Sequence, residues 1–392
     1  MNKTFRIYRL LVPILFLMVA SSYAQDSTGH SKLLVNGYVK DLQMVIFQDY
    51  KSDWATANLI HNRLNFKYNI SPSFTAAIEL RNRFFYGDIL TTYPGYNKTF
   101  EDDNGIVSLS KNILDEKSFL LNTSIDRAWL EYSKDNFQII IGRQRINWGQ
   151  TFVWNPNDLF NTYSYFDFDY EEKPGVDALR LQYYSSTTSV IEFAVKINHQ
   201  KKATVAGFYR FNRWNYDFQF IGGEADQTDF VIGTGWSGQV LKGGFRGEAS
   251  FFMPISNFND TTGTLVASVG YDYTFKNSLF LQFEALYNGY SDTLNIISLA
   301  QINNNSMNAK NPFLSDYSFF LSSGYPITPL LNASLSGIIN PNSKLYFVIP
   351  SMTLSLKDNL ELSLLAQLFR LCGTNNPDQN GNYIFLRLKG SF

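Results

Sequence analysis

One cysteine, Cys372, stands in 392 residues, so no internal disulfide braces the chain and something other than cross-links must hold it. Histidine is nearly as scarce, with His30, His61 and His199 alone. No H-E-x-x-H, Walker or G-x-S-x-G run is present, which leaves hydrolytic and nucleotide chemistry without its usual groups. The chain therefore reads as non-enzymatic, with no cofactor and no metal implied; the acidic run Glu101-Asp102-Asp103 reads as a solvated loop. An excess of one charge is missing too. The formal net charge is -1, which offers no footprint for nucleic acid. Apolar runs after Ala24 are all shorter than the roughly 20 residues a membrane helix needs.

Aromatic residues are what the chain has in quantity: 34 Phe, 24 Tyr and 6 Trp, or 16% of its length. A soluble sandwich could bury them in its core, whereas a membrane barrel sets them in girdles at its two interfaces. The closing segment bears on the choice. From Tyr383 to Phe392, Ile384, Leu386 and Leu388 point one way and Tyr383, Phe385, Arg387 and Lys389 the other. A period of two with one apolar face is a strand, and its recurrence predicts apolar faces toward lipid and polar faces toward water inside. The terminal Phe392 resembles the insertion signal of bacterial outer-membrane barrels. At the other end, Lys3, Arg6 and Arg9 precede the apolar stretch Leu10–Ala20 and the small residues Ser22 and Ala24. That is the pattern of a secretory signal peptide over 1–24, cleaved after Ala24, leaving a single barrel domain over 25–392.

Candidate strands at 33–48, 57–70, 74–86, 119–133, 137–147 and onward to 381–392 alternate with connections of unequal length. Their number predicts an all-β fold: a transmembrane antiparallel up-and-down β-barrel of about 18 strands, with 16 as the alternative. Short turns fall at one end and the long loops near 87–118, 148–175 and 290–315 at the other. A chain this short has no room for a plug and the roughly 22 strands of a plugged transporter. A secreted soluble all-β protein would alternate in the same way. Against it stand the single cysteine, the C-terminal aromatic and the Arg- and Glu-rich strand faces.

By parity, Arg63, Lys67, Arg81, Arg83, Arg127 and Arg180 fall on inward faces, where a charge avoids the cost of meeting lipid. Such a row could guide anions, because guanidinium holds carboxylate or phosphate bidentately. A blander reading has Glu79, Glu131, Glu192, Glu248 and Glu284 neutralise it across neighbouring strands. Arg143 and Arg145 share a parity with Ile139 and Ile141, and a bulge within 137–147 would bring them to the row. The segment Gly142–Gly175 is too aromatic for an exposed loop. Its composition predicts a loop folded into the barrel, with Trp148, Trp154, Asp158, Asp167, Asp169, Glu171 and Glu172 forming a constriction opposite the basic row. The alternative is an aromatic cap on the rim or against a partner.

The GRQ…WG run, WNPNDLFN, and the later Lys173-Pro174-Gly175-Val176-Asp177-Ala178-Leu179-Arg180 resemble a porin-like outer-membrane β-barrel family of Gram-negative bacteria, including Bacteroidota. That family is distantly similar to alginate-export-type and other substrate-selective porins. Gly142, Arg143, Gln144, Trp148, Gly149, Asn155, Pro156 and Asp158 are the positions the resemblance marks. It covers about 45 residues beyond general barrel pattern and implies no particular ligand. The expectation is a channel for passive diffusion of small polar solutes, leaning to anions. Its partners would be outer-membrane lipid, the solutes, the barrel-assembly machinery during biogenesis and, in one arrangement, further copies of itself. An occluded barrel serving a secretion or surface complex is the alternative.

Overall fold

The computed structural model describes residues 32–51, 53–92, 95–101, 103–161, 175–256, 262–290, 307–372 and 378–392. The first half of the chain supplies β1 (Leu33–Phe47), β2 (Ala55–Thr56), β3 (Asn58–Ser71), β4 (Phe74–Tyr86), β5 (Ser110–Glu116), β6 (Phe119–Lys134), β7 (Phe137–Gln144), β8 (Val176–Ser186) and β9 (Ser189–Ile197). Next come β10 (Ala203–Arg213), β11 (Tyr216–Ala225), β12 (Asp229–Val240), β13 (Gly243–Pro254), β14 (Thr264–Thr274) and β15 (Phe280–Asn288). The last five are β16 (Tyr317–Pro326), β17 (Leu331–Asn340), β18 (Leu345–Lys357), β19 (Leu360–Leu371) and β20 (Gln379–Ser391).

Each long strand pairs antiparallel with its neighbours, and β20 returns to β1 in continuous register from Tyr38↔Ser391 to Phe47↔Asn382. The short strand β2 lies on the end of β1, and β5 flanks β6 where β7 has already ended. Without those two, the ring is a closed barrel of 18 strands. Closure leaves no open edge, so every strand's backbone groups are met without water. The Phe392 backbone completes the seam, exchanging hydrogen bonds with Gly37 at 2.9 and 3.0 Å.

Alternation sorts the side chains as the pattern predicts on the outside. Ile78, Phe220, Ile232, Leu321, Leu335, Leu364 and Leu386 form a continuous exposed apolar surface. The inside departs from expectation. From β1 to β8 the inward face is polar, with Lys40, His61, Arg63, Asn122, Ser124 and Asp126 buried there. From β9 to β18 it is mixed: Ala194, Phe208, Val231, Phe252, Val266, Ile338 and Phe347 are turned inward and buried among Glu192, Gln219, Glu248, Ser268, Glu284, Ser318 and Asn340. The polar interior read from alternation thus carries an apolar patch on this side of the ring.

The bulge expected within 137–147 is also not there. β7 keeps register with both β6 and β8 from Phe137 to Gln144. The shift lies one strand earlier, between Glu79↔Arg127 and Leu80↔Ile125, which makes Asp126 the extra residue. A two-against-one step lets consecutive side chains reach the same face. Asp126 and Arg127 use it, the one bonding Arg63 and Arg81 and the other Glu79.

Candidate functional site

The first constituent is the basic wall. Arg63 donates to Asp126 at 2.6 Å and also to Glu79. Arg81 approaches the other Asp126 oxygen at 3.2 Å, and Arg127 lies 3.3 Å from Glu79. Arg180 is bidentate on Glu192, both bonds at 2.7 Å. Arg83 donates to Asn122 at 2.8 Å, and its guanidinium lies 4.7 Å from the Phe100 ring centre. Lys67 is exposed near the short-turn end of β3. Arg143 is not part of this wall. Beyond Gly142, whose φ of 115° bends the strand, it is buried against Asp177 and Asp103 at 2.8 and 2.6 Å. Arg145 is exposed past the strand end.

Three cations on this wall escaped sequence reasoning as members of the row. Lys40 faces both Lys389 and His61 in register, and His61 faces Arg83, so β20, β1, β3 and β4 carry one basic rung. Arg387 sits one inward step further along β20 and reaches the Ser363 hydroxyl at 3.2 Å. Both lysine ammonium groups lie over the Tyr38 ring, at 5.4 and 4.8 Å. The signal was present in the closing strand's alternation, but only closure joins residues that far apart in sequence. By alternation, the inward cations among the described residues from β19 to β9 are Arg387, Lys389, Lys40, Arg63, Lys67, Arg81, Arg83, Arg127, Arg180 and Lys196. These ten face six carboxylates, Glu361, Glu79, Asp115, Asp126, Glu131 and Glu192, a surplus of four positive charges.

The second constituent is the chain after β7. Residues 145–161 leave the wall and cross to the β9–β15 side of the interior, where Trp148 and Trp154 are each 2% exposed. Trp148 stacks on Phe208 of β10 at 5.3 Å and meets Phe160 edge-on, while Trp154 meets Phe313 from the loop before β16. Aromatic side chains of this size each bury about 150–250 Å². That burial covers the apolar side chains that these strands turn inward.

Polar anchors fix where the segment lies. The Trp148 indole N–H donates to Glu192 of β9 at 2.6 Å. The Thr151 hydroxyl donates to Glu248 of β13. The backbone N–H groups of Phe152, Val153 and Trp154 then donate in succession to Glu284 of β15, at 2.9, 3.1 and 2.8 Å. Asn157 bonds β12 and β13 through the Thr234 carbonyl and the Ser250 hydroxyl. Lys196 donates to the carbonyls of Leu159 and Phe160. The neutralising role read for the glutamates therefore applies to Glu79 and Glu192, the latter also holding Trp148, whereas Glu248 and Glu284 hold the internal segment. Asp158 is buried within it. Asp167, Asp169, Glu171 and Glu172 lie outside the described residues.

Where wall and internal segment meet, toward the long-loop end, a cavity of about 530 Å³ remains. Arg81, Arg83 and Asp126 line one side; Lys196, Asp226 and Lys310 line another. In the acidic run, Asp103 accepts from Arg143 and the Gly105 and Leu109 amides and Glu101 from the Asn112 amide, and Asp102 lies outside the described residues.

The fold is that of outer-membrane porins. No protein-family model and no curated protein match the sequence. Among solved structures, OccAB1 of Acinetobacter baumannii is similar with a TM-score of 0.57 at 8% identity, covering 94% of this chain and 99% of that one. OccAB4 of the same organism is similar at 0.55 and 11% identity, over 94% and 100%. OpdK of Pseudomonas aeruginosa, solved with vanillate, is similar at 0.56 and 10% identity, over 91% and 99%. At such identities the likeness is one of fold.

Proposed function

We propose that this chain is a porin-like channel of the bacterial outer membrane for passive diffusion of small polar solutes, with a lean toward anions. One observation carries the reading: an internal segment, anchored on Glu192, Glu248 and Glu284, fills the β9–β15 side of the barrel and leaves the basic side beside it. A solute then passes between the segment and the basic wall, where surplus positive charge favours carboxylate or phosphate groups. Arg63, Lys67, Arg81, Arg83, Arg127 and Arg180 line that path, and Trp148, Trp154 and Asp158 belong to the element that narrows it, with Asp167, Asp169, Glu171 and Glu172 continuing it. The ion pairs of Arg63, Arg81, Arg127 and Arg180 temper the anion lean without removing the surplus. The solute's own gradient supplies the energy.

The chain would reach the outer membrane through the signal peptide at 1–24 and insert with Phe392 as part of its signal to the assembly machinery. Homo-oligomers and the kinship to Bacteroidota and alginate-export-type porins belong to this proposal. An occluded barrel docked to a surface complex is the second reading, favoured by how densely the internal segment fills one half. Single-channel recording under a salt gradient separates the two. Stepwise conductance with an anion-directed reversal potential supports the channel; silence from a folded, inserted barrel refutes it.

A further inference from the structure

The short-turn end of the barrel is not uniform around its rim. The tips between β3 and β4, β6 and β7, and β8 and β9 are polar: Ser71-Pro72-Ser73, Lys134-Asp135-Asn136 and Ser186-Thr187-Thr188. The next four tips each carry an exposed large apolar side chain in the turn itself. These are Trp214, Leu241, Phe275, and Ile327 with Leu330, while the fifth, Asp358-Asn359, is polar again. Three of the four place an exposed cation next to it: Arg213, Lys242 and Lys276.

Two of these tips oppose the local preference of the backbone. Trp214-Asn215 and Leu241-Lys242 all have positive φ, from 49° to 68°. Such two-residue hairpin turns favour Asn, Asp or Gly at those positions, since a Cβ is poorly tolerated there. The first residue of each pair is instead a large apolar one, 76% exposed at Trp214 and 86% at Leu241. Turn geometry does not account for either choice.

Depth offers an account. The outward residues of β12 run from Phe230 to Val240, ten steps of about 3.3 Å. At a tilt of about 40° they rise about 25 Å, which is already the full height of a barrel's apolar band. Leu241 therefore stands just past that band, at the level of lipid headgroups. Hairpins in one sheet repeat every two strands, about 10 Å apart. Tips so separated around a curved rim make no continuous groove for a protein, but each can enter a lipid interface alone. An apolar tip beside a cation is the pairing that suits acyl chain below and anionic phosphate above.

We propose that the hairpin tips from β10 to β17 form a rim that binds anionic phospholipid headgroups, while the polar tips from β3 to β9 remain in water. The inference rests on the membrane-barrel reading, and the experiment separates the two. In a Cys372→Ser background, a nitroxide is placed by Leu241→Cys, Asp135→Cys or Ile232→Cys, and the full barrel is reconstituted in phosphatidylethanolamine vesicles with or without phosphatidylglycerol. Collision with oxygen against a water-soluble nickel chelate reports depth. Ile232 is mid-strand and 73% exposed, so its label must read as lipid; a watery reading there overturns the barrel itself. The expected result is a several-fold higher oxygen-to-nickel ratio at Leu241→Cys than at Asp135→Cys, deepening when phosphatidylglycerol is present. Equal ratios at the two tips, with Ile232→Cys in lipid, overturn the inference. A Leu241 ratio indifferent to phosphatidylglycerol overturns its anionic part. Leu241→Asn suits the positive φ, so a Leu241→Asn, Trp214→Asn variant folds and supplies a second test: a label at Lys276→Cys must become shallower in it, and an unchanged depth counts against a cooperative rim.

Discussion

Glu284 offers the sharpest test of how the internal segment is held. Its carboxylate accepts three successive backbone N–H groups and the Ser268 hydroxyl, and it is fully buried. Truncation to alanine removes a buried charge-assisted acceptor and strands the buried backbone donors of Val153 and Trp154. Breaking a buried charged partnership of this kind costs about 3–5 kcal/mol. Since about 1.4 kcal/mol is tenfold, the latched pose loses at least a hundredfold in relative population. Trp148 on Glu192 and Thr151 on Glu248 remain, so release is confined to the part beyond Phe152. Glu284→Ala should raise single-channel conductance and open-channel noise, and should expose Trp154 to acrylamide while Trp148 stays protected. Glu284→Gln keeps the shape and one carbonyl acceptor, so it should fall between. If both variants fold and insert yet keep wild-type conductance and fluorescence quenching, Glu284 does not set the position of the segment.

Four further outcomes follow from the same contacts. Replacing Arg81 and Arg83 together by Glu reverses two charges beside the cavity and should move the reversal potential toward cations; an unmoved potential refutes the basic path. Asp126→Asn removes the carboxylate shared by Arg63 and Arg81, so anion preference should rise while stability to denaturant falls by about 1.5–3 kcal/mol. Gly142→Ala should cost about 1–3 kcal/mol in backbone strain alone, because φ is 115° and a Cβ would meet the Ala128 carbonyl; unfolding of the reconstituted barrel measures it. In the loop beyond the strands, the Thr56 amide and hydroxyl hold the Asp88 carboxyl below its usual range. A depressed carboxylate stabilises above its unfolded pKa and loses that contribution as pH falls through the folded value. An NMR titration should therefore place the Asp88 midpoint below that of free aspartate, and Thr56→Val should move it part of the way back.

Some of the candidate site was legible because strand periodicity is local. Parity alone set Arg63, Arg81, Arg83 and Arg180 on the face opposite Ile60, Leu64, Ile78 and Leu80, since neighbouring side chains on a strand must point apart. Arg127 shares that face because the bulge sits just before it; Asp126, the extra residue, joined the same face unseen. The glutamates were harder. Glu192, Glu248 and Glu284 have the same parity and chemistry, yet one pairs with arginine and two hold backbone amides of a segment about 100 residues away or more. Nothing local to β13 or β15 distinguishes those fates.

What the sequence by itself determined is whatever depends on spacing along one chain segment. That includes the strands, most of their turns, the approximate strand number and the outward apolar surface, because the two-residue repeat of an extended backbone is written directly into side-chain order. Tertiary structure alone decided which inward faces meet water. Val231 of β12 and Ile338 of β17 are single apolar side chains on inward faces otherwise polar or glycine, beside Asp229 and Gly233 on one strand and Ser336 and Asn340 on the other. Strand order gives such a side chain no partner, and only the arrival of Trp148, Trp154 and Phe313 inside the ring makes a packed core around it. The basic rung of Lys389, Lys40, His61 and Arg83 has the same origin, for it exists only once the last strand has closed on the first.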